Sequence, residues 1–499
     1  MSDVKTAIRL AVVGHNPLLY LCTTEEDRVV GVLRELAAEP GSGLSEPRLW
    51  SCTHGLEGVE GGAAMTDPAA ALAAVAAFEG PATWVFADLA PFMQRVEVAR
   101  RLREFYFAAR EKGDRRIVII APETVVPEMV RKEVHLIDVP PPDEDAIGAE
   151  IERFRRDHPD CGLRTEDWTE VLLALKGLTL AEVGHILRRA ARGGQATREQ
   201  IMEALFAEKE MLVRKAGYLE FCPPRLKLSD LGGLDNLKDW LEKRRRLFTR
   251  EAMDAGVQMP KGLLMMGVSG CGKSLAVKVI SSFWNLPLFR LDMNLIFSGA
   301  YGNPESAFRG ALNTVESVAP AVLWIDEIEN SLGMDEKSGV HIASHIFSAF
   351  LTWMQEKPPL VFIAATANRI SALPAEIIRK GRFDQVFFLD LPADSERAEI
   401  FRIHLARNGI DLADVDMNIL TIMTEGWNGA EIEQAVIAAR VEAYYEKRKA
   451  TQGDLSASIA RIVPLSQTME EQIKFIRSWA FSRAMPASKF GKMKRRLVQ

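Results

Sequence analysis

Several features are scarce in this sequence, and each absence excludes a class of protein. No apolar run approaches the roughly 20 residues needed to cross a bilayer. The longest candidate, "AAALAAVAAFEG", is short and mostly alanine, which favours a packed helix. The N-terminus lacks the basic and then apolar segments of a signal peptide. We therefore expect a soluble cytoplasmic protein with no membrane insertion.

Cysteine is also scarce, and positive charge is not in excess. The five cysteines have no C-x-x-C spacing, which argues against disulfides and zinc and is typical of reduced thiols. The formal net charge of −6 disfavours nucleic acid as the main partner, although a local basic patch would be compatible with it. The basic end "SKFGKMKRRLVQ" is interpreted as a solvated tail, with a nucleic-acid or acidic-membrane contact as the alternative.

Alternating strands and helices dominate the rest of the sequence. Runs such as "ATWVFADLA", "RIVIIAPE", "AVLWIDEIE" and "PLVFIAATAN" are apolar at nearly every position and are separated by helical patterns. Such runs indicate parallel strands buried on both faces of a sheet. Because they form two sets, before about residue 140 and after about residue 260, we predict an α/β protein with two parallel sheets, each followed by a helical segment.

The two halves resemble one another in sequence. "LIDVPPPDEDAIGAEIERF" (residues 136–154) and "FLDLPADSERAEIFRIHLA" (388–406) share a strand, an Asp-x-Pro turn and a helix. "KGLTLAEVGHILRRAA" (176–191) and "EGWNGAEIEQAVIAAR" (425–440) share G-x-x-x-A-E followed by Val or Ile. Two matches in the same order predict a duplicated α/β domain with a helical lid. The alternative is an unrelated α/β domain in the first half.

A phosphate-binding loop is predicted in the second half. "GVSGCGKS" matches G-x-x-x-x-G-K-[S/T] and lies between a predicted strand, "KGLLMMG", and a predicted helix, "SLAVKVISSFW". The loop's N–H groups and the helix N-terminus would bind phosphates. Lys273 would reach the β- and γ-phosphates, and Ser274 would ligate Mg²⁺. The predicted ATP-binding residues of the loop are Gly267, Val268, Ser269, Gly270, Cys271, Gly272, Lys273, Ser274 and Leu275.

Polar residues after later strands extend this predicted site. In "AVLWIDEIEN", Asp326 would hold Mg²⁺ through water, and Glu327 would polarise a water for attack on the γ-phosphate, which predicts hydrolysis. Asn368, at the end of "PLVFIAATAN", would orient that water. Arg379 and Arg382 of "LPAEIIRKGRFD" either pair with nearby acids or reach the ATP of a neighbouring subunit.

This ordered set of motifs resembles the AAA ATPases, a class that includes protein unfoldases and microtubule-severing enzymes. The resemblance extends from "LSDLGGLDNLKDWL" to "EGWNGAEIEQA", over about residues 229–448. It implies a P-loop NTPase sheet with a helical lid. Arg379 and Arg382 match arginine-finger positions, which implies a homo-oligomeric ring, most often a hexamer. The further nucleotide contacts that it implies are Asp230, Gly232 and His404 beside the adenine, and Gly429 and Ala430 in the lid.

A closer resemblance covers nearly the whole chain. "GLLMMGVSGCGKSLAVKVI" and "RKGRFDQVFFLDLP" are similar to the Ycf family of AAA proteins typified by hypothetical chloroplast reading frame forty-six, as are "YLCTTEEDRV" and "PLSQTMEEQIKFIRSWA" at the two ends. The chain is predicted to divide into several domains, since its length alone suggests roughly three or four. The predicted segments are a degenerate AAA-like α/β module (1–142), its helical lid (143–215), a linker (216–228), the AAA large domain (229–391), the AAA lid (392–467) and a C-terminal helix with a basic tail (468–499).

Departures from the expected motifs lead to three further predictions. The first module runs "TTEEDRVV" after its first strand and has no general base after Asp88, so we predict a nonhydrolysing copy that serves assembly or partner recognition. In the candidate pore loop, Tyr301 and Gly302 match part of the aromatic–aliphatic–glycine motif with which AAA unfoldases grip a polypeptide, but Ala300 replaces the usual aromatic residue. Two interpretations therefore remain: a loop that grips polypeptide through Tyr301, and a loop that does not thread polypeptide at all. Cys271 either fills a tight loop or acts as a redox switch.

The sequence therefore predicts a Mg²⁺-dependent AAA ATPase with one working site, whose cofactors are ATP and Mg²⁺ and whose partner is a protein or an assembly. One alternative is a regulatory scaffold that uses ATP only to switch its assembly. The other is a nucleic-acid-dependent ATPase, which the net charge of −6 disfavours.

Overall fold

The computed structural model contains two compact units. The first comprises Met1–Phe154 and Leu178–Gly184, and the second comprises Arg155–Gly177 and His185–Gln499. The residues that the structure describes are 2–161, 168–193, 196–223, 225–245, 247, 252, 255–298, 302–331, 340–358, 360–379 and 381–489.

The first unit is a parallel sheet with helices on both faces. Alternate residues of its strands point to opposite faces, so that Leu18 and Tyr20 enter one core and Leu19 and Leu21 enter another. The strands up to residue 190 are β1 (Leu18–Cys22), β2 (Pro47–Ser51), β3 (Gly55–Leu56), β4 (Ala82–Phe86), β5 (Arg115–Ala121) and β6 (His135–Asp138). The helices of this part are α1 (Ser2–Val13), α2 (Glu26–Ala38), α3 (Pro68–Ala77), α4 (Val96–Ala109), α5 (Glu144–Asp157), α6 (Trp168–Leu175), which belongs to the second unit, and α7 (Leu180–Ala190).

The second unit is built in the same way around a seven-stranded sheet. Leu264 and Met266 of its first long strand enter one core, and Leu263 and Met265 enter the other. The strands are β7 (Leu219–Cys222), β8 (Gly262–Gly267), β9 (Leu288–Leu291), β10 (Ala321–Ile325), β11 (Val361–Ala367), β12 (Gln385–Leu389) and β13 (Met485–Pro486). The helices are α8 (Arg198–Ala216), α9 (Asp235–Arg245), α10 (Lys273–Trp284), α11 (Met293–Phe297), α12 (Pro304–Ser317), α13 (Ile328–Ser331), α14 (Val340–Glu356) and α15 (Ala375–Ile378).

A helical lid follows this sheet and has a core of its own. Phe401 and Leu405 pack against Leu420, Ile432 and Leu455 in that core. Within the described ranges, no helix is both long and apolar enough to cross a membrane. The lid helices are α16 (Asp394–Arg407), α17 (Met417–Met423), α18 (Gly429–Tyr445) and α19 (Gln452–Ala460), and the helices after the lid are α20 (Leu465–Thr468) and α21 (Glu470–Phe481).

The two sheets share one strand order. The first is ordered β3-β2-β4-β5-β1-β6 and the second β13-β12-β8-β11-β10-β9-β7. In both, the five parallel strands common to the two sheets lie in the order fifth, first, fourth, third and second along the chain. The added strands are β3, which is antiparallel to β2, β7, which is antiparallel to β9, and β13, which is parallel to β12. The predicted α/β P-loop fold with a preceding α/β module is confirmed.

The compact units divide the chain elsewhere than at the predicted boundaries. Most of the segment predicted as the first lid, 143–215, lies in the second unit. The reason is α8, whose Val213 enters the core of the second sheet and whose buried Lys209 Nζ donates to the Pro320 carbonyl at 3.3 Å. The predicted linker 216–228 contains β7, because its residues Leu219–Cys222 pair with the backbone of β9 and add an edge strand to the sheet.

Candidate nucleotide site

The phosphate-binding loop follows a fully buried strand, β8, and its backbone needs glycine. Gly270 has φ +77°, and a Cβ added there would lie 2.7 Å from the Asn428 side chain. A side chain at this position is therefore excluded by both backbone strain and space. Lys273 begins α10, and its Nζ donates to the carbonyls of Gly267 (2.9 Å) and Val268 (2.8 Å). Burial lowers the pKa of Lys273.

The two predicted acids follow β10 and are linked by a threonine. Thr366 Oγ1 donates to Oδ1 of Asp326 at 2.6 Å and accepts the N–H of Glu327 at 2.9 Å. Glu327 has φ +46°, a left-handed conformation that is uncommon outside glycine and is held here by that hydrogen bond. Ser274 Oγ donates to Asp326 at 3.4 Å, which brings the start of α10 to the same carboxylate.

The Glu327 carboxylate is held at both oxygens. Asn368 Nδ2 donates to Oε1 at 2.6 Å, and Asn330 Nδ2 donates to Oε2 at 2.7 Å. The Arg369 guanidinium donates in turn to Oδ1 of Asn330. The structure thus brings Asp326, Glu327 and Asn368 together.

A third acid, Glu329, fixes the turn that carries Asn368. Its side chain is buried, and its Oε1 accepts the N–H groups of Asn368 (2.7 Å) and Arg369 (2.9 Å). Sequence reasoning did not single out Glu329 or Thr366. The available signals were the third acid in "DEIE" and the position of Thr366 two residues before Asn368 at the end of an apolar strand.

A cavity of about 400 Å³ lies between the loop, the strand ends and the lid, within the usual range for small-molecule sites. Gly267 and Val268 do not line it, but their carbonyls hold Lys273. The predicted residues that line it are Asp230, Gly232, Ser269, Gly270, Cys271, Gly272, Lys273, Ser274, Leu275, Asp326, Glu327, Asn368, His404, Gly429 and Ala430. Unpredicted lining residues include Thr366, Asp390, Glu396, Arg407, Glu433 and Ser488.

The far end of the cavity joins the lid to the segment before α9. Arg407 pairs with Asp230 at 2.8 Å, and His404 Nδ1 lies 3.7 Å from Glu433. Burial lowers the pKa of His404, although the nearby Glu433 carboxylate opposes this change. About one turn before Glu433 on the same helix, the N–H of Ala430 donates to the Gly270 carbonyl at 3.1 Å and links α18 directly to the phosphate-binding loop.

The two predicted arginine fingers lie outside this cavity. Arg379 is exposed, whereas Arg382 is half-buried and its guanidinium donates to the Glu376 carbonyl of the same chain. Neither is among the described residues that line the cavity. Of the candidate pore loop, Gly302 has φ +90°, and Tyr301 lies outside the described residues, as does the basic tail from residue 490 onward.

Cys271 has the properties of a protonated thiol. Burial raises the pKa of the Cys271 thiol to about 12, although the nearby Lys273 ammonium lowers it. A thiolate is the reactive form of cysteine in oxidation and exchange. This environment favours Cys271 as a small loop residue over a redox switch.

The residues of the cavity fit a nucleotide with Mg²⁺. Magnesium prefers oxygen ligands, and Ser274 and Asp326 supply a hydroxyl and a carboxylate that already contact one another at 3.4 Å. A buried lysine and a glycine turn at a helix N-terminus would form the anion-binding side. Ser274 and Asp326 would hold the ion, which would neutralise phosphate charge.

The first unit has a carboxylate at the position that corresponds to this loop. Only Thr23, Thr24 and Glu25 separate β1 from α2. Glu25 Oε1 accepts the N–H of Leu180, at the start of α7, at 2.9 Å, and Oε2 pairs with Arg28 at 3.0 Å. In the second unit the corresponding lid contact is accepted by the Gly270 carbonyl. An acid in this position repels phosphate, which supports the prediction of a nonhydrolysing module.

Comparison with known proteins identifies the family. Residues 4–139 match the N-terminal domain of SpoVK-like AAA ATPases, and residues 263–391 match the ATPase family associated with various cellular activities (AAA). The AAA domain-containing protein ycf46 of Pyropia yezoensis is 32% identical over 95% of this chain and 96% of its own length. The chain belongs to the ycf46 family of AAA ATPases.

More distant relatives of this ycf46-family chain match its second half. The proteasome-activating nucleotidase of Thermococcus onnurineus is 30% identical over 55% of this chain and 70% of its own length. The cell division cycle protein 48 homolog of Archaeoglobus fulgidus is 30% identical over 57% of this chain and 39% of its own length. The predicted enzyme class is confirmed: the ycf46-family chain is an ATPase.

Proposed function

We propose that this ATPase uses Mg²⁺-ATP at the cavity described above to remodel a protein partner or a protein assembly. The observation that carries the proposal is the linked set of Asp326, Thr366, Glu327 and Asn368 opposite the phosphate-binding loop. The direct contact from Ala430 to Gly270 supports coupling, because a change at the phosphates reaches the lid through one hydrogen bond.

The residues would divide the chemistry as follows. The loop N–H groups and Lys273 would bind the phosphates, and Ser274 and Asp326 would hold Mg²⁺. Glu327 would accept a proton from the attacking water at a carboxylate oxygen, after exchanging one of its two amide donors for that water. Asn368 would keep the water in line.

We propose a homo-oligomeric ring, with a hexamer favoured, in which Arg379 completes the site of the next subunit. The exposed Arg379 side chain outside its own cavity supports this role. Arg382, which is bound to Glu376 in its own chain, would hold the finger segment. The five free cysteines support a cytoplasmic location.

The test is Glu327→Gln, which keeps the side-chain size and removes the general base. We expect ATP affinity within a few-fold of wild type and a loss of turnover of about 10²-fold or more. Isothermal titration measures the first quantity and phosphate release the second. Turnover at the wild-type rate in this variant would remove Glu327 from the mechanism.

A protein-remodelling role also requires a partner, which the trapped variant can capture. Pulldown with Glu327→Gln from the native cell should retain proteins that wild type releases. The alternative is an ATP-switched scaffold that does not thread or unfold substrates. It is favoured if Tyr301→Ala leaves every partner-dependent activity intact.

A further inference from the structure

The C-terminal segment returns to the nucleotide site after the lid. Residues 465–489, here called the strap, contain α20, α21 and β13 and lead from the lid to the edge of the second sheet. β13 pairs with β12 through Met485 beside Phe387 and Pro486 beside Phe388. The strap therefore spans the two parts of the unit between which the cavity lies.

The first end of the strap contacts the lid beside the cavity. The Leu465 N–H donates to Oε1 of Glu431 at 2.6 Å, and Oε2 of the same carboxylate accepts the N–H of Asn428 at 2.8 Å. Asn428 is the N-cap residue of α18 and is 4% exposed. Its side chain packs directly over Gly270 of the phosphate-binding loop. One carboxylate thus joins the strap to the residue that covers the loop.

The middle of the strap contacts the sheet edge. Arg477 of α21 donates from Nε to both oxygens of Asp390, at 2.9 and 3.0 Å, and from Nη2 at 2.8 Å. Asp390 directly follows β12, lines the cavity and has only 11% of its side chain exposed. Because a largely buried carboxylate is costly without its partner, this ion pair fixes the strap on a second wall.

The far end of the strap forms part of the cavity itself. Ser488 lines the cavity. Asn236 Nδ2 donates to the carbonyls of Pro486 (3.0 Å) and Ser488 (3.1 Å), and the Leu237 N–H donates to that of Ala487 (3.2 Å). Ala487 is fully buried in the core below. These contacts hold the start of α9, which follows the cavity residues Asp230 and Gly232, against the strap.

We infer that the strap is part of the nucleotide site, with Ser488 as a wall residue, and that ATP binding and strap docking stabilise one another. The strap touches the lid, the sheet edge and the start of α9. A nucleotide in the cavity would meet the lid, the sheet edge and the segment that leads directly into α9, so the same three walls are involved. A nucleotide that contacts all three walls favours the state in which the strap holds these walls together. By thermodynamic linkage, a docked strap raises the affinity for the nucleotide to the same extent. This inference rests on the proposed nucleotide binding at this cavity.

Two substitutions test it in the full chain. Asn236→Ala removes the two side-chain hydrogen bonds to the strap backbone, and Arg477→Ala removes the ion pair with Asp390. We expect each to raise the Kd for Mg²⁺-ATP about 5- to 10-fold in isothermal titration. The matched controls are Glu242→Ala on α9 and Lys474→Ala on α21, both exposed, which should bind like wild type.

The reciprocal experiment uses wild type alone, so it does not depend on how the variants fold. Hydrogen exchange of the peptide covering residues 485–488 should slow when Mg²⁺ and a non-hydrolysable ATP analogue are added. Unchanged exchange, or folded strap variants that bind ATP like wild type, would overturn the coupling while leaving the proposed ATPase site in place. A wild-type chain that binds no ATP would overturn both.

Discussion

Thr366 connects the two acids of the candidate site, and one hydroxyl serves both. It donates to the Asp326 carboxylate and accepts the Glu327 N–H. Thr366→Val keeps the shape but leaves that N–H without its acceptor and releases the left-handed backbone at Glu327. We expect kcat to fall about 10- to 100-fold through misplacement of the base, with a loss of unfolding free energy of about 1–3 kcal/mol.

Thr366→Ser is the matched control, because it retains the hydroxyl. It should keep most of the wild-type kcat in the same phosphate-release assay. If Val and Ser variants had equal kcat, the hydroxyl would not be positioning Glu327.

Cys271 gives a prediction about pH. With its pKa raised to about 12, the thiol carries a proton throughout the neutral range, and the thiolate fraction at pH 8 is about one part in 10⁴. Iodoacetamide at pH 8 should therefore leave Cys271 unmodified in the folded protein and modify it in urea, as followed by peptide mass spectrometry. Rapid labelling in the folded state would restore the redox switch as a candidate.

At the scale of elements, the start of α18 should matter for both stability and binding. Asn428 accepts the Glu431 N–H in a capping box and covers Gly270. Asn428→Ala should cost about 1 kcal/mol in denaturant unfolding and should also weaken ATP binding, because the capped helix end contacts the loop.

Asp416→Ala separates these two effects. Asp416 caps α17 in the same lid by accepting the Asn418 N–H at 2.9 Å, and it does not line the cavity. Asp416→Ala should lower the free energy of unfolding by about as much as Asn428→Ala does, without changing the Kd for ATP. Equal weakening of ATP binding in both variants would mean that lid stability alone sets the affinity.

Comparison of the elements with the sequence shows which features were predictable. The strands β8, β10 and β11 were predictable from the sequence, because strands buried on both faces must be apolar at nearly every position. β13, a Met-Pro pair, has no such signal, since its pairing is supplied by the edge of β12. Glu329 has a signal as the third acid of "DEIE", but the sequence does not show what it holds, because its partners are backbone N–H groups, which every residue but proline possesses.

At the scale of the whole molecule, a shared active site can be tested by mixing two inactive variants. Arg379→Ala subunits keep Glu327, and Glu327→Gln subunits keep Arg379. If Arg379 acts on the site of the next subunit, rings formed by co-expression of the two variants should recover roughly a quarter of wild-type turnover. About one interface in four then combines an intact Glu327 on one subunit with an intact Arg379 on its neighbour.

The control for this experiment is mixing after purification under conditions where subunits do not exchange, which should give no recovery. Activity of Arg379→Ala alone at the wild-type level, or no recovery in co-expressed rings, would contradict a role for Arg379 across the interface.

The shared strand order has a consequence for synthesis of the chain. In each sheet the first of the five parallel strands to be made lies inside the sheet, and it pairs with a strand about 100 residues later, as in Leu18 beside Ile117 and Gly262 beside Ile363. At about 5–20 residues per second, a ribosome needs several seconds to supply that partner. During this interval β1, and later β8, is an apolar strand without neighbours, so each half of the protein passes through a period in which it must be kept from aggregating.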